Sequence, residues 1–249
     1  MPGPRPLIAL IHAVPTGARV AQEAFAREFP QAVPWNVLDD RLLDDALHSE
    51  GLTDVLRRRM LRLIAHVMDG GAQGVLLTCS SYGEVVDTAR TLWNVPVLKS
   101  DEAMFQDALS GPFRRIAVVA STPPAVPAAV AQLEALVTTA RPDRPVDIVT
   151  ALSEDAACRD GVDGADGADD PEATARHLAG ALAEALDAAG AGDADAVLLA
   201  QYSLTPARDA LEALVGVPVL DGAGAAARQL RGLLTSEAGR TTRTAAVAP

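Results

Sequence analysis

Cys79 lies in the string VLLTCSS, behind the aliphatic run Val75–Leu77 and Thr78 and ahead of Ser80 and Ser81. A helix is expected to begin near Ser81 or Tyr82. A thiol between a strand end and a helix start feels the positive end of the helix dipole, which favours the thiolate, the nucleophilic form. The adjacent hydroxyls are hydrogen-bond donors, and the same helix start can hold a carboxylate. A buried cysteine acting as a small hydrophobe is the alternative. The polar T-C-S-S run favours chemistry, because a structural cysteine needs no hydroxyl neighbours. His12 closes the first aliphatic run and could supply an acid or base, although a lone histidine is more often a satisfied polar residue.

The elements that must position these groups are aliphatic runs of strand length: Leu7–Ile11, Val75–Leu77, Val95–Leu98, Ile116–Ala120, Val146–Val149, Val197–Leu199 and Val217–Leu220. Most are continuous rather than alternating, as in parallel strands covered on both faces. Between them, Leu52, Leu56, Met60, Leu63, Ile64 and Val67 recur at helical spacing up to Gly70-Gly71. A second helical stretch runs from Glu172 to Ala189, behind Pro171. Strands alternating with helices predict βαβ units and a doubly wound α/β fold.

An internal repeat carries more information than any single motif. A shift of 122 residues lays VLLTCSSYGEVVDTARTLWNVPVL over VLLAQYSLTPARDALEALVGVPVL without a gap, with ten of twenty-four pairs identical. Each copy reads as strand, polar turn, helix and a strand beginning Val-Pro-Val-Leu. A weaker echo links LIALIHAVP to IAVVASTPP. Two similar α/β halves follow, with polar turns at strand C-termini, where open parallel sheets bind ligands.

The TCSS turn after VLL, the repeated strand–turn–helix–VPVL unit and the IAVVAST segment resemble the aspartate/glutamate racemase superfamily. That group includes glutamate, aspartate and hydantoin racemases, maleate isomerases and arylmalonate decarboxylases. The resemblance implies two pseudo-symmetric Rossmann-like lobes with parallel sheets and a cleft between them, neither pyridoxal phosphate nor metal, and a small carboxylate substrate. The lobes would be residues 1–100, completed by a helix over 222–235, and residues 101–221, with a disordered tail over 236–249. The resemblance also implies one turn per lobe that presents a cysteine. Cys79 matches the first, with Thr78, Ser80 and Ser81 beside it as substrate-binding residues. The second departs from the pattern: Gln201 stands where a cysteine is expected, followed by Tyr202 and Ser203. Glutamine has no usable pKa and cannot shuttle a proton. Ser121, Thr122 and His12 complete the candidate substrate-binding residues.

Two-base racemisation is therefore in question, and one-sided chemistry remains. Cys79 could protonate an enediolate, or add to a double bond and leave after rotation. The readings are a racemase- or isomerase-like enzyme, a decarboxylase or lyase with Cys79 as sole proton donor, and a carboxylate-binding protein that has lost catalysis.

Composition excludes other classes. The chain has 249 residues, 49% hydrophobic and 22% charged, which fits a globular protein with ample core rather than a disordered one. A formal net charge of −12 argues against nucleic acid as a partner. Arg57, Arg58, Arg59 and Arg62 are read as a solvated helix face. Two cysteines make no disulfide framework, and the four histidines have no metal-ligand spacing. The Leu7–Val14 run is too short for a membrane span, so a cytoplasmic protein is expected, with a homodimer as the commonest assembly. Cys158, the acidic stretch Arg159–Asp170 and the loop Lys99–Glu102 are assigned no function.

Overall fold

The computed structural model describes residues 5–49, 52–140, 143–156, 170–190 and 192–245. The chain divides into two compact units, Met1–Ser100 with Ala226–Pro249, and Asp101–Ala225. Cys158 and most of the acidic stretch lie outside the described residues.

The first unit holds β1 (Leu7–His12), β2 (Val33–Leu38), β3 (Gly74–Leu77) and β4 (Val97–Leu98), all parallel, in the order β2-β1-β3-β4. Its helices include α1 (Pro15–Glu28), α2 (Leu42–Leu47), α3 (Asp54–Asp69) and α4 (Gly83–Leu92). Ile8, Leu10 and Leu76 are as fully buried as Ala9, Ile11 and Leu77, so both faces of the sheet are covered. Met60, Ile64 and Val67 of α3 join Val85, Val86 and Ala89 of α4 against one of those faces. The spacing that predicts α3 places these residues on one stripe. Thr53 caps its start, and beyond its end Gly71 adopts φ +85°, a conformation natural to glycine.

The second unit repeats the plan. β5 (Arg115–Ala120), β6 (Asp147–Leu152), β7 (Ala196–Leu199) and β8 (Val219–Asp221) are parallel in the order β6-β5-β7-β8. Its helices are α5 (Glu102–Ser110), α6 (Ala125–Ala140), α7 (Pro171–Ala188) and α8 (Arg208–Val215), and α9 (Gly222–Ala245) follows β8. The 122-residue shift carries β3 onto β7 and the start of β4 onto that of β8. Pairing also fixes the weaker echo: Ile11 lies beside Leu77 and Val119 beside Leu199, so Ile11 corresponds to Val119 and His12 to Ala120.

Several expectations change. β2 is absent from the sequence reading because Pro34 and Asn36 interrupt its apolar run; a proline is tolerated at this sheet edge. Helical backbone in α9 continues past residue 235 to Ala245, through a stretch that includes Gly239 and three threonines, residues of low helix propensity. The basic face is not simply solvated. Arg59 bridges Asp39 and Asp45, both at 2.6 Å, and Arg57 reaches Glu84 at 2.7 Å. Ser100 and Asp101 are buried rather than looped into solvent, and Asp101 occupies the N-cap position of α5.

Candidate active site

β3 ends at Leu77, and the chain continues through Thr78 and Cys79 into a 3₁₀ turn, Ser80–Tyr82, before α4 begins at Gly83. The continuous aliphatic run ends where polar residues start, so the turn falls at the C-terminal edge of the sheet. Cys79 is extended (φ −115°, ψ 117°) and half-buried, with Ser80 and Ser81 exposed beside it. A 3₁₀ turn therefore separates the thiol from the first residue of the α-helix. Tyr82 is fully buried, and its hydroxyl donates to the Leu42 carbonyl at 2.7 Å. Burial, followed by the charges of Cys79, Asp45 and Asp39, pushes its phenol up to about 12, while Arg59 opposes them.

His12 is fully buried at the end of β1. Its Nδ1 lies 3.0 Å from Thr78 Oγ1 and its Nε2 lies 2.9 Å from Asn36 Oδ1. Burial lowers the imidazole pKa, partly opposed by the Asn36 bond. The structure thus brings His12, Thr78, Cys79, Ser80 and Ser81 to neighbouring strand ends, with His12 enclosed behind Thr78. Asn36, on the strand absent from the sequence reading, is the member that had no signal.

In the second unit, Gln201 is the extended residue after β7 and heads the 3₁₀ turn Tyr202–Ala207. Its side-chain carbonyl accepts from the Ser121 backbone N–H at 2.7 Å and from the Ser121 hydroxyl at 3.1 Å. The turns after β5 and β7 are thereby tied together, with Ser121 buried and Thr122, Gln201 and Ser203 half-buried. Tyr202 is buried, and burial together with the charges of Asp101 and Asp221 raises its phenol well above the ordinary value. Asp221, 1% exposed, accepts from Gly224 N–H at 2.7 Å and from the Thr205 hydroxyl at 3.4 Å. Sequence reasoning placed Asp101 in a solvated loop and passed over Asp221. An aspartate directly before the Gly-Ala start of α9 is a helix-cap signal that could have found the second.

Glu84, Asp87 and Asp209 are engaged in ion pairs with Arg57, Lys99 and Arg208, and His48, His66 and His177 are exposed. Among the described residues no cluster of three His, Cys, Asp or Glu side chains could hold a metal ion, and no helix is long and apolar enough to cross a membrane.

The sequence profile of the Asp/Glu/Hydantoin racemase family matches residues 18–230. The chain belongs to that family. This Asp/Glu/hydantoin racemase-family chain also shares its fold with solved structures of low sequence identity. A glutamate racemase of Bacillus anthracis matches at TM-score 0.66 and 12% identity, over 94% of this chain and 83% of that one. An allantoin racemase of Klebsiella pneumoniae matches at 0.64 and 18% identity, over 93% and 89%. Unliganded arylmalonate decarboxylase matches at 0.58 and 18% identity, over 92% of each chain. A search of curated proteins finds no relative.

Proposed function

We propose that this racemase-family protein is a cofactor-independent enzyme in which Cys79 transfers a proton, or adds, at the carbon next to a carboxylate of a small amino or dicarboxylic acid. The observation that carries the reading is the Cys79 turn: a half-buried thiol at a strand end, followed by two exposed hydroxyls, in a family-matched α/β unit. In the isomerase form, the Cys79 thiolate takes the α-proton, and the electron pair moves into the carboxylate as an enediolate. Reprotonation at the same carbon, with delivery from water on the opposite face, inverts the centre. On a cis-enedioate the thiolate adds to one alkene carbon, the single bond rotates, and the thiolate leaves as the double bond reforms. In each case charge grows on carboxylate oxygens, where Ser80 and Ser81 are the donors nearest in sequence. Loss of one such donor costs about 10²–10³ in rate in a well-studied enzyme.

A second reading has a specific observation in its favour. The repeat position of Cys79 is Gln201, whose carbonyl is already engaged by Ser121 and which carries no titratable proton. Decarboxylation needs only one proton donor. The C–C bond to the leaving carboxylate breaks, CO₂ departs, the resulting enediolate takes the Cys79 proton, and water reprotonates the thiolate.

The protein is incubated in D₂O with a panel of amino acids, maleate and substituted malonates. α-Deuteration with inversion, or cis–trans conversion, supports the isomerase; CO₂ release with one α-deuteron supports the decarboxylase. Cys79→Ser abolishes either activity. Turnover that survives C79S, or a panel wholly inert with wild-type protein, overturns the proposal.

A further inference from the structure

We infer that His12 is a positioning residue for the reacting turn, acting on Cys79 through the Thr78 hydroxyl. This rests on the reading of Cys79 as the reacting group.

Asn36 Oδ1 is an acceptor, so the 2.9 Å contact requires a proton on His12 Nε2. The buried imidazole favours its neutral form, which leaves Nδ1 with a lone pair to accept the Thr78 hydroxyl at 3.0 Å. Ile11 carbonyl, 3.3 Å from the same hydroxyl, is the second acceptor, and it also takes the Thr78 backbone N–H at 3.0 Å. Side chain and main chain of Thr78 are thus both held to the end of β1, one residue before Cys79. The first turn of α1 closes over the pair. A Cβ at Gly17 would sit 3.1 Å from Thr78 Oγ1 and 3.6 Å from His12 Nδ1. Downstream, the Tyr82 hydroxyl is fixed on Leu42. Cys79, Ser80 and Ser81 lie between these two anchors.

The second unit shows that the fold itself does not require this arrangement. The positions corresponding to His12, Thr78 and Asn36 are Ala120, Ala200 and Thr150, and the same strand–turn–helix unit forms there without an imidazole. Burying a histidine is unfavourable unless both nitrogens are satisfied. The half that carries Cys79 is the half that meets that condition.

The test reads Cys79 directly. Full-length protein is alkylated with iodoacetamide across a pH series, and peptide mapping resolves Cys79 from Cys158. Thr78→Val and His12→Phe should each slow Cys79 alkylation about three- to tenfold, the factor that a lost neutral hydrogen bond carries. The H12F/T78V double variant should be no slower than either single variant. Thr78→Ser and His12→Asn, which keep the hydroxyl or an acceptor, should stay within about twofold of wild type. Unchanged or faster alkylation in T78V, or multiplying effects in the double variant, overturns the inference. If H12F does not fold, the T78V and T78S pair decides. Because alkylation needs no substrate, its outcome is separate from the C79S turnover test: turnover surviving C79S sinks the functional reading, while unchanged T78V reactivity sinks this one.

Discussion

The Gln201 side-chain carbonyl receives both the backbone N–H and the hydroxyl of Ser121, at 2.7 and 3.1 Å, across eighty residues of chain. A backbone N–H can only donate, so the contact fixes which end of the amide faces Ser121 and turns the Gln201 NH₂ group away from it. Removing the acceptor leaves a buried donor without its partner. Gln201→Ala should therefore destabilise the fold by about 1–3 kcal/mol, read as a lower urea midpoint at unchanged slope. Gln201→Glu retains an acceptor and should lose less than half as much. Equal losses in both variants would show that the Ser121 bond contributes nothing.

The chain has two tyrosines, and both phenols are raised: Tyr82 to about 12 and Tyr202 well above the ordinary value, in each case with burial as the largest cause. Between about pH 10, where an unfolded tyrosine titrates, and the folded values, the native state binds more protons than the unfolded one. Stability present below pH about 10 must then decline as the pH rises toward about 12. Spectrophotometric titration should show no tyrosinate step near pH 10 in folded protein and a two-tyrosine step in urea. A folded-state step near 10 would contradict the burial of both rings.

His12 gives a slope at the acidic end. Its imidazole pKa is lowered, first by burial, so the unfolded chain takes up a proton before the folded one does. Stability is complete above the unfolded value near 6.5 and falls as the pH drops below it. The urea midpoint should decrease between about pH 7 and about pH 5, and His12→Asn should flatten that part of the profile. An identical slope in H12N would assign the loss to other groups.

Much of this architecture is legible in the sequence, for a physical reason. β1, β3, β5 and β7 are interior strands of parallel sheets, so their burial on both faces is written as unbroken aliphatic runs. β2 is an edge strand that needs neither a donor at Pro34 nor an apolar side chain at Asn36, and periodicity passes over it. The same distinction governs the site. Cys79 and Gln201 stand out because the 122-residue shift superposes the turns they head. The His12–Thr78–Asn36 chain depends on β1 lying between β2 and β3, a pairing that no local pattern reveals. Asp101 and Asp221 carry charge and read as surface residues, whereas the fold buries both.

Asp221 provides the sharpest test of that burial. Its Oδ1 accepts the Gly224 N–H at 2.7 Å, the bond an N-cap makes at the third residue of a helix, and the Arg208 Nε lies 3.8 Å from Oδ2. Asp221→Ala removes the cap and leaves that N–H without its acceptor, which should lower stability by about 0.5–2 kcal/mol. Asp221→Asn keeps a cap oxygen and removes the charge, so its loss should be smaller. The charge also helps raise the Tyr202 phenol, and D221N should bring the Tyr202 titration down while leaving Tyr82 near 12. The comparison of the two variants by urea unfolding and tyrosinate absorbance separates the roles. Equal destabilisation by D221N and D221A would mean that the charge, rather than the Gly224 bond, is what holds this end of α9.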